Sequence, residues 1–166
     1  ETEAKLLRIE AEGRGALAPI ASDLAAAKAV ASAAAQSERA GHSWNADQRS
    51  ATEQLLTSHN RITAVQGYAG TAKTTTVLAT FAREAEARGM SIVALAPTAS
   101  AAMVLGEALD TRSDTVARHL LSPERPDPAR PAAWIVDEAS LLSARDTARL
   151  FDLADKHDAR IILVGD

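Results

Sequence analysis

Gly67-Tyr68-Ala69-Gly70-Thr71-Ala72-Lys73-Thr74 is the stretch on which the fold turns. Before it lies Arg61-Ile62-Thr63-Ala64-Val65-Gln66, a short β-branched run that reads as a strand. After it, Thr74–Arg88 carries a helical pattern closed by Gly89. The stretch matches G-x-x-x-x-G-K-[ST] at every defined position but the sixth, which is Ala72. In that pattern successive backbone N–H groups curl around a β-phosphate, and the helix N-terminus adds its dipole. Lys73 then reaches the β- and γ-phosphates, and the Thr74 hydroxyl coordinates Mg²⁺. If the last glycine of such a loop holds φ > 0, an alanine there costs roughly 1–2 kcal/mol. That is about tenfold in nucleotide affinity.

Outward from the loop, short apolar strands alternate with helices. Asn45 opens a helix through Ser58, with Leu55 and Leu56 facing inward. Ser91–Ala96 reads as a second strand, Thr98–Leu109 as a helix and Thr115–Leu121 as a short helix. Pro123, Pro126, Pro128 and Pro131 mark an irregular connection. Ala133–Val136 is a third strand, Ser143 caps a helix to about His157, and Arg160–Val164 is a fourth strand. Strands separated by helices of this length pair in parallel through right-handed crossovers. The predicted class is α/β, a mainly parallel sheet with helices on both faces.

Residues 1–43 differ and read as a helical N-terminal appendage or linker before a domain at 44–166. Glu3–Glu12 is a short helix ended by Gly13-Arg14-Gly15, and Ser22–Ala40 is an Ala-rich helix stopped by Gly41. Leu24, Ala27, Val30, Ala31 and Ala34 form its expected apolar stripe.

Composition limits the function classes. Of 166 residues, 46% are hydrophobic and 24% charged, which fits a folded globular chain rather than a disordered one. The absence of cysteine excludes a disulfide scaffold, a thiol nucleophile and any cysteine-ligated metal. No apolar run approaches the ~20 residues of a membrane span, and no signal peptide opens the chain. A net charge of −4 excludes a basic coat on nucleic acid but allows a local basic groove. The expectation is a soluble intracellular protein.

The acidic partner of the phosphate loop is Trp134-Ile135-Val136-Asp137-Glu138-Ala139-Ser140. An apolar strand ending in two carboxylates lets Asp137 hold Mg²⁺, usually through water, and lets Glu138 orient or deprotonate an attacking water. Asp-Glu after a strand is weak evidence by itself; paired with the phosphate loop at this distance, it points to a nucleoside triphosphatase.

Five segments now stand in a recognisable order: Trp44-Asn45-Ala46-Asp47-Gln48, the phosphate loop, Ala96-Pro97-Thr98-Ala99-Ser100-Ala101-Ala102, Val136–Ser140 and Val164-Gly165-Asp166. They resemble the Q motif, motifs I, Ia and II, and the start of motif III of superfamily 1 helicases. Val65–Gly70 and the Ala-rich lead-in are similar to the RecD-like branch, specifically the helicase region of conjugative relaxase–helicases of the TraI/TrwC type. The resemblance implies a RecA-like P-loop NTPase fold and an ATP-dependent DNA helicase that moves along single-stranded DNA. It implies ATP and Mg²⁺ as cofactors, with Gln48, Gly67, Gly70, Thr71, Ala72, Lys73, Thr74 and Thr75 around the nucleotide. Thr74 and Asp137 would hold the metal, and Lys73, Asp137 and Glu138 would be catalytic. Pro97 and Thr98 would line the DNA path.

For Gln48 the alternative is a capping box with Asn45, and both readings can hold. For Pro97 and Thr98 it is an ordinary strand exit with a helix cap. The resemblance also implies a bacterial cytoplasmic setting, the remaining helicase and relaxase domains of the same chain as partners, and no membrane. By the family's sheet order, strand 160–164 lies between the loop-bearing strand and 133–136, with 91–96 outermost.

The first residue is Glu and the last residues read as a strand with its exit turn, so the expectation is a fragment, truncated after the start of motif III. Without a second motor domain and its arginine finger, worth about 10³–10⁵ in rate, the expected behaviour is weak ATP binding, negligible hydrolysis and no unwinding. A binding module is the second reading: a vestigial helicase fold that takes single-stranded DNA or a secretion partner without using ATP. A RecD-like helicase unrelated to conjugation is a third. His42, His59, His119 and His157 lack ligand spacing, so no metal is assigned to them, and Trp134 reads as core. Arg112, Arg118, Arg125 and Arg130, diluted by Asp114, Glu124 and Asp127, read as a solvated loop.

Overall fold

The computed structural model describes residues 2–66 and 72–165. Five strands, β1 (Ile62–Gln66), β2 (Ser91–Ala96), β3 (Arg112–Thr115), β4 (Ala132–Val136) and β5 (Arg160–Gly165), form one sheet in the order β1-β5-β4-β2-β3. Every pairing is parallel. Parallel strands buried on both faces need apolar residues at consecutive positions, which is what β2, β4 and β5 supply.

Alternate residues of each strand feed two cores. Ile92, Ala94, Ala133, Ile135, Ile162 and Val164 point to one face, where α2 (Asp23–Arg39), α3 (Ala46–Thr57), α4 (Ala72–Ala87) and α5 (Ala99–Leu109) cover them. Val93, Leu95, Trp134, Val136 and Ile161 point to the other, covered by α1 (Thr2–Glu12), α6 (Val116–Leu121) and α7 (Ala144–His157). The result is the expected three-layer α/β architecture of a RecA-like P-loop domain.

Three details correct the sequence reading. The strand 91–96 is not outermost, because β3 pairs beyond it, Val93↔Arg112 through Ala96↔Thr115. Thr115 therefore ends a strand and caps α6, its hydroxyl accepting from the Arg118 N–H at 3.1 Å. In α2 the buried face is Ala26, Ala29, Val30, Ala33 and Ala34, while Leu24 is 66% exposed. Of the predicted stripe, only Val30 and Ala34 face inward.

The N-terminal helices pack into the same two cores. Ile9 of α1 joins the α7 side, and Ala21, Ala26 and Ala29 join the α3–α4 side. Residues 13–21 are bonded to the segment before β1: Arg61 N–H to Gly13 O (2.9 Å), Leu17 N–H to His59 O (2.9 Å) and Ala21 N–H to Leu56 O (2.9 Å). Two buried arginines complete the joint. Arg61 donates to Ala159 O (3.0 Å) and Asp158 Oδ1 (2.8 Å). Arg160 donates to Ser58 O (2.6 Å) and Ala18 O (2.8 Å). Burial, with the Arg61 charge adding, pushes the Arg160 guanidinium down to about 10.

Candidate functional site

All five strands run the same way, so their carboxyl ends share one edge of the sheet, the edge where open α/β folds bind ligands. Gln66 ends β1, and α4 begins at Ala72. Gly67, Gly70 and Thr71 of the predicted phosphate site lie outside the described residues, as does Asp166. Ala72 is the first residue of α4.

Lys73, Thr74 and Thr75 occupy the first turn of α4, with Lys73 exposed, Thr74 buried and Thr75 half-buried. Among the described residues Lys73 has no ion pair and Thr74 has no side-chain hydrogen bond. Thr74 contrasts with Thr52, Thr57, Thr80 and Thr147, whose hydroxyls each donate to the carbonyl four residues back. The oxygen of Thr74 is left for something at the helix N-terminus, where unpaired backbone N–H groups also point.

The acidic pair stands at the exit of β4, one strand (β5) away from β1. Two strand spacings separate these exits by about 10 Å. The Asp137 N–H donates to Leu95 O at 2.9 Å, which extends the β4–β2 ladder by one bond. Asp137 Oδ1 accepts from the Glu138 N–H at 2.8 Å, leaving Oδ2 without a partner among the described residues. Glu138 is exposed and left-handed, φ 52 and ψ 37. For a residue with a Cβ this conformation costs roughly 1–2 kcal/mol. Nothing in the sequence signals it, since neither Gly nor Asn occupies the position.

The unpartnered oxygens of Thr74 and Asp137 are hard donors of the kind Mg²⁺ takes with water completing its shell, so these residues fit that metal.

Gln48 and Asn45 form the full capping box: the Gln48 N–H donates to Asn45 Oδ1 (2.8 Å), and the Asn45 N–H donates to Gln48 Oε1 (2.9 Å). This engages the amide oxygen and leaves the NH₂ group without a hydrogen bond among the described residues. Thr98 caps α5, accepting from the Ala101 N–H at 3.2 Å, and Pro97 is half-buried at the exit of β2. The capping parts of both alternatives are thus present.

His119 is buried, 4.4 Å between ring centroids and edge-on to Trp134 in the core, and its Nε2 has no partner among the described residues. Burial pushes its pKa down; Asp114 opposes this, and His157 and Arg112 add to it. These rings border a cavity of about 480 Å³ at the opposite, amino-terminal edge of the sheet. Outside the Arg112–Glu124 ion pair, the carboxylates Glu86, Asp110 and Asp127 outnumber Arg125 and Arg130 in its lining, and it lies far from the acidic pair.

Comparison with known proteins agrees with this geometry. Over 132 residues the chain is 34% identical to a protein of Sinorhizobium fredii (strain NBRC 101917 / NGR234) named "Probable conjugal transfer protein TraA". The match takes in 75% of this chain and 11% of that protein's length. The AAA domain family matches residues 43–166, which hold all five strands and both halves of the site. On that match, and on a parallel sheet with a lysine-bearing helix facing an acidic strand exit, the chain belongs to the AAA domain family.

Proposed function

We propose that this chain is an ATP-binding motor domain of a RecD-like superfamily 1 DNA helicase serving conjugative DNA transfer, within a longer relaxase–helicase polypeptide. The observation that carries the reading is the pairing of Lys73 and Thr74, without side-chain partners among the described residues at the start of α4, with Asp137 and Glu138 at the exit of β4. ATP is the substrate. The Lys73 ammonium binds its β- and γ-phosphate oxygens, and the α4 backbone N–H groups with the loop 67–71 cradle the β-phosphate. Thr74 through its hydroxyl and Asp137 through water hold Mg²⁺. When bound, the metal neutralises charge on the phosphate oxygens during transfer. Glu138 orients a water in line with the γ-phosphate and takes its proton; the strained backbone there fits a side chain held for chemistry. The Gln48 NH₂ donates to the base, and Thr75 supports the phosphate side. Pro97 and Thr98 border the path of single-stranded DNA. The name of the Sinorhizobium relative supports the conjugative setting, and a cytoplasmic location goes with it.

The test is titration of the chain with a fluorescent ATP analogue and Mg²⁺. Saturable binding is expected, weakened about 10- to 150-fold in Lys73→Ala, the worth of one charged hydrogen bond. A folded chain that binds no nucleotide would overturn the proposal in favour of a helicase fold that holds DNA or a secretion partner without ATP.

A further inference from the structure

The amino-terminal edge of the sheet holds a cavity of about 480 Å³ that the nucleotide chemistry does not use. Small-molecule sites enclose about 300–1,000 Å³, so the volume suits one. Walls of three chemistries line it. The ends of α4 and α5 supply Glu86 and Asp110, the connection between α6 and β4 supplies Arg125 and Arg130, and α6 and β4 supply His119 and Trp134.

Helices α4, α5 and α7 each start at the carboxyl edge and return, so their electronegative C-terminal ends lie at this edge. A cation in the last turn stabilises such an end, and α7 has two, Lys156 and His157. The last turns of α4 and α5 have none. Glu86 stands in the last turn of α4 instead, and Asp110 caps α5 in a left-handed conformation, φ 53. Both are exposed, and neither carboxylate has an ion pair or a hydrogen bond among the described residues. Negative charge at two negative helix ends opposes both dipoles, so helix stability does not account for it.

An independent sign comes from the ring wall. His119 lines the cavity at 7% exposure, and its Nε2 has no partner among the described residues. Burial favours its neutral form, which keeps one ring nitrogen as an acceptor. Elsewhere in the lining Arg112 pairs with Glu124, and Asp127 Oδ1 accepts from the Ala129 N–H at 2.9 Å. Two carboxylates on one wall and two guanidinium groups on another are left open.

We infer that this cavity binds a small free zwitterion of the amino-acid type, its cationic nitrogen on Glu86 and Asp110 and its carboxylate on Arg125 and Arg130, beside the His119 ring. The site lies at the edge opposite the proposed nucleotide site and does not depend on that reading.

The experiment is isothermal titration calorimetry of this chain with L-arginine and with agmatine, which keeps the cationic groups and lacks the carboxylate. Saturable binding of arginine is expected. The double variants Glu86→Gln/Asp110→Asn and Arg125→Gln/Arg130→Gln should each weaken it by about tenfold or more, the worth of a charged hydrogen bond. Agmatine should bind more weakly than arginine to the unaltered chain, and no more weakly to the arginine double variant. Glu38→Gln, exposed near the end of α2, is the control and should change nothing. Asparagine tolerates the left-handed backbone at position 110, and thermal unfolding checks that each variant is folded. In NMR spectra of the labelled chain, arginine should shift the side-chain signals of His119 and Trp134. No saturable arginine binding by the folded chain, unchanged affinity in the carboxylate double variant, agmatine binding as tight as arginine, or unmoved His119 and Trp134 signals would overturn the site.

Discussion

Substituting Gly106 by alanine tests how the outer strand is held. In an exposed helix interior, glycine to alanine stabilises by about 0.8–1 kcal/mol. Gly106 lies in α5 but is buried against β3. A Cβ there would sit 2.6 Å from Ser113 Cβ, 2.7 Å from Ser113 Oγ and 3.2 Å from Thr111 O. These atoms sit on or next to the backbone of an element tied to the helix, since the Thr111 N–H donates to Gly106 O at 3.0 Å. The helix must therefore move off the strand as a body. Overpacking of this kind costs about 1–3 kcal/mol, which outweighs the propensity gain. The expected net loss is up to about 2 kcal/mol, a fall in Tm of up to about 8 °C for a chain of this size. Thermal unfolding followed by circular dichroism reads it. Adding Ser113→Gly removes the two closest contacts, so the double variant should recover at least half of the loss. A rise in Tm for Gly106→Ala alone, or no coupling between the two sites, would refute the close-approach argument.

Two further predictions concern the other edge of the sheet. Arg160→Met removes two charged hydrogen bonds worth about 1.5–3 kcal/mol each, while relieving a burial cost that the pKa, lowered to about 10, puts at about 3 kcal/mol. Urea unfolding should show a net loss of up to about 3 kcal/mol, with amide exchange accelerating first at Leu17 and Ala21; a gain in stability would refute it. His119, 7% exposed, holds its folded pKa below the unfolded value of about 6.5. As pH falls through 6.5 the unfolded chain binds a proton that the folded chain does not, so this contribution is complete above that pH and is lost below it, by at most about 1.4 kcal/mol per pH unit. The groups facing it are Asp114, His157 and Arg112. His119→Gln should flatten the decline in urea midpoint between pH 6.5 and 5; an unchanged pH profile would count against the assignment.

What the sequence disclosed follows from contrast between neighbouring residues. The runs at 91–96, 133–136 and 160–164 are apolar against polar surroundings, and the caps Asn45, Thr98 and Ser143 are polar at the head of helical runs, so each was legible. The strand Arg112–Thr115 was not. Its polar residues pair on one side only, and its place depends on Gly106, a residue distant in sequence, leaving room for Ser113. The buried face of α2 was misread for the opposite reason: with alanine on every side, the single Leu24 sets the apparent stripe, and it faces water. For the site, the order of Lys73-Thr74 and Asp137-Glu138 was readable, and the resemblance placed strand 160–164 between them, as the order β1-β5-β4 bears out. The left-handed backbone of Glu138 had no sequence sign at all.

The two ends of the strands treat the same side-chain types differently, and that difference bears on where function lies. At the amino-terminal edge Arg61 and Arg160 are buried on carbonyls and a carboxylate, and together they fasten residues 13–21 to the sheet. At the carboxyl edge Lys73, Thr74 and Arg145 have no partner among the described residues, and the oxygens of Asp137 and Thr74 are left for a ligand. A chain that satisfies nearly all of its buried polar groups internally leaves cations and oxygens open at low cost only where water can reach them. The placement of these open groups beside a strained glutamate follows from no requirement of the fold. It suits the anion and the hard metal ion of the proposed nucleotide site.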